Sequence, residues 1–271
     1  MSVAPRGRRA ASASGSPPRR SSVTATSANL RRRAKSARVA IASRYLGTIP
    51  LTALLERYRA LKDAIAAAAI AANRDPASVD LLAVSKTHPA EPVVELLAAG
   101  HRHFGENRVQ EAAGKYPALR ETYPDLRLHL IGPLQTNKVK EAVALFDVIE
   151  TLDRPKLAAA LSKEMERTGR RISCLIEVNI GAEPQKAGIA PEDTAEFLAR
   201  CRGEWGLEID GLMCIPPAGA DPTPHFGRLK ELADQLGLVH LSMGMSGDYR
   251  QAIACGAGEI RVGTALFGRR D

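Results

Sequence analysis

The sequence predicts an α/β protein that folds as a single (β/α)8 barrel, and three observations support this prediction. Short apolar runs of strand length alternate with helix-length runs from residue 79 onward, a pattern typical of parallel βαβ units. About eight strand-like runs occur over roughly 190 residues, and a barrel of this kind contains eight strands. No GxGxxG motif follows the first strand, so the main alternative, a doubly wound dinucleotide-binding sheet, is less favoured.

Residues 1–48 form a basic leader that we predict to be disordered. This segment is rich in Arg, Ser, Ala and Pro and has no periodic apolar residues, so it has little apolar surface to bury. Transit peptides have a similar Arg-rich, Ser-rich and acid-poor composition, and an over-long gene model is a third explanation. Residues 49–271 then form the barrel domain.

The barrel domain begins with a helix, because apolar residues recur at helical spacing between Leu51 and Ala72. The segment NRDPASV at residues 73–79 ends this helix in a turn. We predict strands at residues 79–85, 103–105, 127–131, 148–150, 173–180, 207–215, 240–243 and 259–262. We predict further helices near residues 91–99, 109–116, 137–144, 156–168, 191–201, 226–235 and 249–255.

The charge distribution argues against a nucleic-acid partner, although the net charge is +8. Residues 1–50 hold 11 of the 38 Lys and Arg residues and no Asp or Glu, so the rest of the chain holds 27 basic against 30 acidic residues. Aromatic residues make up only 4% of the chain, too few for base-stacking platforms. No apolar run reaches the length of about 20 residues that a membrane span needs, so we expect no membrane association.

The four cysteines indicate free thiols. Cys174, Cys201, Cys214 and Cys255 form no CxxC pair, and two of them lie inside apolar strand-like runs. Buried, unpaired cysteines are typical of a reducing compartment. We therefore expect a cytoplasmic protein.

Candidate functional residues follow the predicted strands, because function in such barrels collects at the carboxyl ends of the strands. Lys86 follows the first strand, where partial burial would lower the pKa of its amine and favour Schiff-base chemistry with a carbonyl compound. Ser246 follows the seventh strand, and Gly263 and Thr264 follow the eighth. Backbone amides after strands 7 and 8 are a recurrent phosphate site, although these glycines could simply form tight turns.

A lysine and a phosphate site in one barrel mouth suggest pyridoxal 5′-phosphate as cofactor, and they suit an aldolase acting on a sugar phosphate equally well. Arg261 lies two residues before Gly263 and should share its face of the strand. It could therefore face the pyridine nitrogen of the cofactor. The alternative is a structural arginine paired with Glu259 or Glu150.

The strand-end motifs resemble those of the pyridoxal phosphate homeostasis proteins, whose fold is similar to the N-terminal barrel of alanine racemase. The matching stretches, in family order between residues 51 and 271, are AVSKTHP, HFGENRVQE, LHLIGPLQTNK, GLMCIP, LSMGMSGDY and IRVGTALFG. The resemblance implies that Lys86 holds the cofactor as a Schiff base. It places the phosphate at Ser246, Gly263 and Thr264, the pyridine nitrogen at Arg261, and the cofactor ring near Asn107 and Met243.

The resemblance also implies a cofactor carrier or buffer without efficient racemase activity, so we assign no catalytic residue. A racemase of this fold takes a tyrosine base from a β-domain after the barrel, and we expect no such domain because the chain ends at Asp271. The alternative is a pyridoxal-phosphate-dependent racemase or lyase acting on a small amino acid. A class I aldolase, with Glu106 or Glu150 as acid and base, is a third hypothesis.

The histidines and remaining strand carboxylates give weaker signals. His101 and His103 could share a strand face, but no third ligand is evident, so we predict no metal site. We expect His129 to point into the barrel near the cofactor, and Glu177 and Asp210 to pair with basic residues of the barrel. The expected partners are pyridoxal phosphate and apoenzymes that receive it, and we expect the protein to be a monomer.

Overall fold

A computed structural model describes residues 51–268, and its centre is a closed barrel of eight parallel strands in sequential order. The strands are β1 (Asp80–Val84), β2 (His103–Glu106), β3 (Arg127–Leu130), β4 (Val148–Leu152), β5 (Ser173–Val178), β6 (Ile209–Cys214), β7 (His240–Ser242) and β8 (Glu259–Val262). Strand β8 pairs with β1, with Asp80 opposite Glu259 and Ala83 opposite Val262, and this pairing closes the barrel. The predicted (β/α)8 barrel is confirmed, and each predicted strand overlaps an observed one.

Helices alternate with these strands. Within residues 51–268 they are α1 (Leu51–Ala71), α2 (Ala90–Ala98), α3 (Val109–Thr122), α4 (Val139–Leu145), α5 (Pro155–Thr168), α6 (Thr194–Gly203), α7 (Thr223–Gln235), α8 (Tyr249–Ala254) and α9 (Thr264–Phe267). The predicted N-terminal helix and the seven predicted later helices are present. Helix α9 was not predicted, because four residues are too few to show a helical period.

Helix α3 is longer than predicted. The predicted helix ended near residue 116, and Pro117 follows there; a proline inside a helix removes a backbone hydrogen bond. In the structure the helix continues to Thr122 with Pro117 inside it. Tyr116 and Leu119 on this helix are buried in the hydrophobic core, and this burial offsets the cost of the proline.

Side chains along each strand alternate between the barrel interior and the layer beneath the helices. On β8, Ile260 and Val262 are fully buried in the apolar core, and Arg261 between them faces the interior. Arg261 contacts Ser242 on β7, and Ser242 contacts Glu150 on β4. Strands β4 and β7 are not neighbours in the sheet, so these polar contacts cross the interior of the barrel.

The remaining predictions concern the N-terminal segment, membrane-spanning helices and the cysteines. The predicted disorder of residues 1–48 lies outside the described residues. No helix within residues 51–268 is long and apolar enough to cross a membrane. The four cysteines are free, as predicted, and all except Cys255 are buried.

Candidate functional site

A cavity of about 270 Å³ lies at the carboxyl ends of the strands, and we call it the carboxyl-end cavity. Six of the seven predicted site residues line it, namely Lys86, Asn107, Ser246, Arg261, Gly263 and Thr264. These residues come from β8 and from the segments that follow β1, β2, β7 and β8. Residues that are distant in sequence therefore meet because parallel strands end at the same face of the barrel.

The loop that carries Lys86 is held in place by helix α3. Lys115 Nζ donates hydrogen bonds to the backbone oxygens of Ser85 (2.9 Å) and His88 (3.0 Å), one on each side of Lys86. The backbone N–H of Thr87 donates to the Glu111 carboxylate. Thr87 has a φ of 65°, a left-handed conformation that is unfavourable for a β-branched residue. These contacts from α3 fix the loop in this strained conformation.

A buried ion pair lies directly behind this loop. Glu106 Oε1 is 2.6 Å from Lys115 Nζ and accepts a hydrogen bond of 2.8 Å from Ser85 Oγ. Burial raises the pKa of Glu106, and the nearby Lys115 opposes this rise. Because Glu106 lies on the helix-facing side of β2, it does not line the carboxyl-end cavity. The hypothesis that Glu106 acts as an acid or base beside Lys86 in an aldolase therefore loses its geometric support.

The predicted phosphate-binding residues lie close together on one wall of the cavity. Ser246 Oγ accepts a hydrogen bond of 3.3 Å from the backbone N–H of Ala265, so the segments after β7 and β8 are in contact. A Cβ atom on Gly263 would lie 3.2 Å from the backbone oxygen of Val84. Glycine thus allows the segment after β8 to approach β1 closely, and this brings Thr264 into the same cavity as Lys86.

Arg261 is nearly fully buried and is held by two neutral groups. Its Nη1 donates to Ser242 Oγ at 2.7 Å and its Nη2 donates to the backbone oxygen of Cys214 at 2.8 Å. The alternative prediction was a structural arginine paired with Glu259 or Glu150. In the structure, Arg261 reaches both carboxylates only through Ser242.

A chain of polar groups, which we call the central polar chain, extends from Arg261 through the barrel. Ser242 Oγ lies 2.6 Å from Glu150 Oε2 and 3.0 Å from Glu259 Oε1. His129 Nδ1 lies 2.7 Å from Glu150 Oε1. A serine hydroxyl has a single proton to donate, so Ser242 can donate to only one of these carboxylates at a time.

The two carboxylates of the central polar chain have pKa values shifted in opposite directions. Burial and the charge of Glu150 raise the pKa of Glu259. Burial also acts to raise the pKa of Glu150, but the hydrogen bond and charge of His129, with the charge of Arg261, outweigh it and lower that pKa. Glu150 is therefore the more acidic of the two carboxyl groups.

Met243 does not line the carboxyl-end cavity, although the family resemblance placed it near the cofactor ring. It is fully buried in the hydrophobic core. Ser242 before it faces the interior, so alternation along the strand directs the Met243 side chain towards the helices. Met245, two residues further on, lines the cavity instead.

His129 lies in the barrel interior as expected, but it does not line the carboxyl-end cavity. It lines a second cavity, of about 300 Å³, at the amino ends of the strands. Glu177 and Asp210 also differ from prediction, because no ion pair among residues 51–268 includes either of them. Burial and the charge of Asp153 raise the pKa of Glu177 to about 7.

The apolar wall of the carboxyl-end cavity and the lysine behind it were not predicted from the sequence. Val84, Ile131, Ile215 and Met245 line the cavity, and single apolar residues at strand ends give no distinctive sequence signal. Lys115 lies on a helix outside the barrel, so no motif connects it with Lys86.

Comparisons with known proteins identify the family. Residues 51–271 match the family model described as alanine racemase, N-terminal domain. The Pyridoxal phosphate homeostasis protein of Pseudomonas aeruginosa is 45% identical over 209 residues, which cover 75% of this chain and 90% of that relative. The chain belongs to the pyridoxal phosphate homeostasis protein family. Another member of the family, from Aquifex aeolicus, is 41% identical over 224 residues, or 79% of this chain and 97% of that relative.

Solved structures agree with this family assignment. PipY of Synechococcus elongatus PCC7942, in a structure with PLP bound, is 41% identical and has a TM-score of 0.65, covering 75% of this chain and 100% of that chain. Alanine racemase of Clostridium difficile 630 is 14% identical with a TM-score of 0.57, covering 71% of this chain and 53% of that chain. The racemase comparison supports the fold alone. The predicted family and barrel type are confirmed.

Proposed function

We propose that this member of the family binds pyridoxal 5′-phosphate in the carboxyl-end cavity and acts as a carrier or buffer of the cofactor. The proposal rests on one observation, which is that one cavity is lined by Lys86, Ser246, Arg261 and Thr264. These residues supply an amine for the aldehyde, hydroxyls for the phosphate and a cation for the ring nitrogen. The PLP-bound structure of the relative PipY supports the choice of ligand.

Each of these side chains has a role that follows from its chemistry. When bound, the cofactor supplies an aldehyde that condenses with amines. Lys86 would hold its aldehyde carbon covalently, while Ser246, Thr264 and nearby backbone amides would bind the phosphate. Arg261 would donate a hydrogen bond to the ring nitrogen. Because its guanidinium stays protonated, Arg261 cannot transfer a proton to that nitrogen.

The lining of the cavity favours a carrier over a racemase. Lys86 and Arg261 are the only ionisable side chains among the described residues that line it. Racemisation requires proton transfer on both faces of the substrate, which calls for a second group able to exchange a proton. A permanently charged arginine does not provide one.

We propose that the protein is a cytoplasmic monomer that passes the cofactor to apoenzymes. Buried free thiols at Cys174, Cys201 and Cys214 support a reducing compartment.

The test is an absorbance spectrum of the purified full chain after loading with pyridoxal phosphate, before and after borohydride treatment, followed by peptide mass mapping. We expect a band that borohydride bleaches, with the added mass on the peptide that contains Lys86. Lys86→Ala should abolish this attachment, and Lys138→Ala, outside the cavity, should retain it. A chain that takes up no pyridoxal phosphate would refute the proposal. Racemisation of alanine at an ordinary enzymatic rate would favour the enzyme alternative.

A further inference from the structure

The second cavity, at the amino ends of the strands, has the residues of a metal site. This amino-end cavity is lined by three imidazoles and three carboxylates, those of His103, His129, His240, Asp80, Asp210 and Glu259. It lies at the opposite end of the barrel from Lys86, and the residues that line the two cavities do not overlap. Its ligand-forming residues are therefore distinct from those of the proposed cofactor site.

Three of these side chains converge. One ligand atom from each of His103, His129 and Glu259 lies within 4.8 Å of the other two. Imidazole nitrogens and a carboxylate oxygen are ligands that Zn²⁺ accepts, at about 2.0–2.2 Å from the metal. Ligand atoms of a tetrahedral site lie about 3.4 Å apart on that bond length, so the three side chains would have to move inward slightly. His103 is only partly buried at the mouth and has room for such a movement.

His129 provides the independent observation that points to a ligand. It is almost completely buried, and its Nδ1 lies 2.7 Å from Glu150 Oε1 and 3.4 Å from Glu259 Oε2. Its other nitrogen, Nε2, is buried without a hydrogen-bond partner. A histidine held by a carboxylate through one nitrogen and free at the other is the arrangement that orients metal-binding histidines in proteins. A buried nitrogen without a partner is unfavourable, and a bound cation would satisfy it.

We propose that His103, His129 and Glu259 bind one divalent transition-metal ion of the zinc type, with Glu150 orienting His129. The ligands come from β2, β3 and β8, so the ion would connect three strands of the barrel. Asp80 and Asp210 at the same mouth offset the positive charge of Arg127, which also lines this cavity. The sequence showed no third ligand beside His103, because His129 and Glu259 become its neighbours only in the closed barrel.

The test titrates metal-free full chain with Co²⁺, monitored by its visible ligand-field absorption, and with Zn²⁺ in a calorimeter. We expect one equivalent to bind and the unfolding temperature to rise with Zn²⁺. His103→Asn and Glu259→Gln should each weaken binding at least tenfold. Glu150→Gln should weaken it about 10–100-fold, as expected for a carboxylate that orients a metal-binding histidine.

Two control variants make the result specific. His225→Asn alters a histidine outside the amino-end cavity, and Lys86→Ala alters the cofactor cavity, so both should bind the metal as the unchanged protein does. His103→Asn keeps the test decisive if Glu259→Gln does not fold, because His103 is only partly buried. No stoichiometric uptake, or uptake that survives His103→Asn, would overturn the proposal. Lys86→Ala removes the proposed attachment point of the cofactor but leaves the metal ligands in place. Cofactor uptake and metal uptake are therefore measured independently, and either proposal can fail without the other.

Discussion

Lys115 Nζ donates a hydrogen bond of 2.9 Å to the backbone oxygen of Ser85, the residue immediately before Lys86. The same ammonium group forms an ion pair with the fully buried Glu106. One side chain on α3 therefore neutralises a buried carboxylate and positions the loop that carries the proposed cofactor-binding lysine.

Replacing Lys115 by methionine should destabilise the protein and weaken cofactor binding. Removal of one partner of a buried ion pair leaves the other charge buried and costs about 3–5 kcal/mol. Urea denaturation measures this loss, and titration of the folded variant with pyridoxal phosphate measures the second effect. Lys138→Met is the matched control, because it removes a more exposed ion pair with Glu141 and should cost less than about 1 kcal/mol. Equal losses for the two variants would contradict the prediction.

Ser246→Ala and Thr264→Val should weaken retention of pyridoxal phosphate while attachment to Lys86 persists. Each substitution removes a hydrogen bond to a charged phosphate, which is worth about 1.5–3 kcal/mol. Dissociation constants from equilibrium dialysis would test this, with borohydride mapping to confirm the attachment. Ser78→Ala, outside the carboxyl-end cavity, should leave the constant unchanged. Unaltered retention in both site variants would place the phosphate elsewhere.

Replacing Gly211 by alanine should destabilise the protein, whereas replacing Gly227 by alanine should stabilise it. A Cβ on Gly211 would lie 1.9 Å from the backbone oxygen of His240, so Gly211→Ala would force the neighbouring strand to shift and should cost at least about 1–3 kcal/mol. Gly227 lies within α7, and a Cβ there would meet nothing within 4 Å. Gly227→Ala should stabilise the protein by about 0.5–1 kcal/mol. Chemical denaturation of both variants compares them directly.

Glu177 should make stability fall as pH rises through the weakly acidic range. Burial and Asp153 raise its pKa from 4.5 to about 7 in the folded state, so the folded state binds more protons than the unfolded state between these values. The contribution is complete below about pH 4.5 and is lost as pH rises to about 7, at no more than about 1.4 kcal/mol per pH unit. Unfolding free energies of the unchanged protein and Glu177→Gln at pH 5, 6 and 7 test this. The difference between the two should change with pH.

The site residues that could be predicted from the sequence are those whose position follows from strand order alone. Lys86 and Thr264 directly follow apolar strands, and the carboxyl ends of parallel strands meet. Met243 lies outside the lining of the cavity, because its side-chain direction depends on where Ser242 falls in the alternation along the strand. The proximity of His103 to Glu259 depends on barrel closure, which brings the first and last strands together. A linear motif contains no information on such a contact.

The central polar chain has a thermodynamic consequence. It connects Arg261, at the wall of the carboxyl-end cavity, through Ser242 to the carboxyl groups of Glu150 and Glu259 and to His129 at the other cavity. Any ligand that changes the electrostatic potential at Arg261 therefore changes the proton affinity at the far end of the barrel. By reciprocity, protonation there would change the affinity for such a ligand by the same factor.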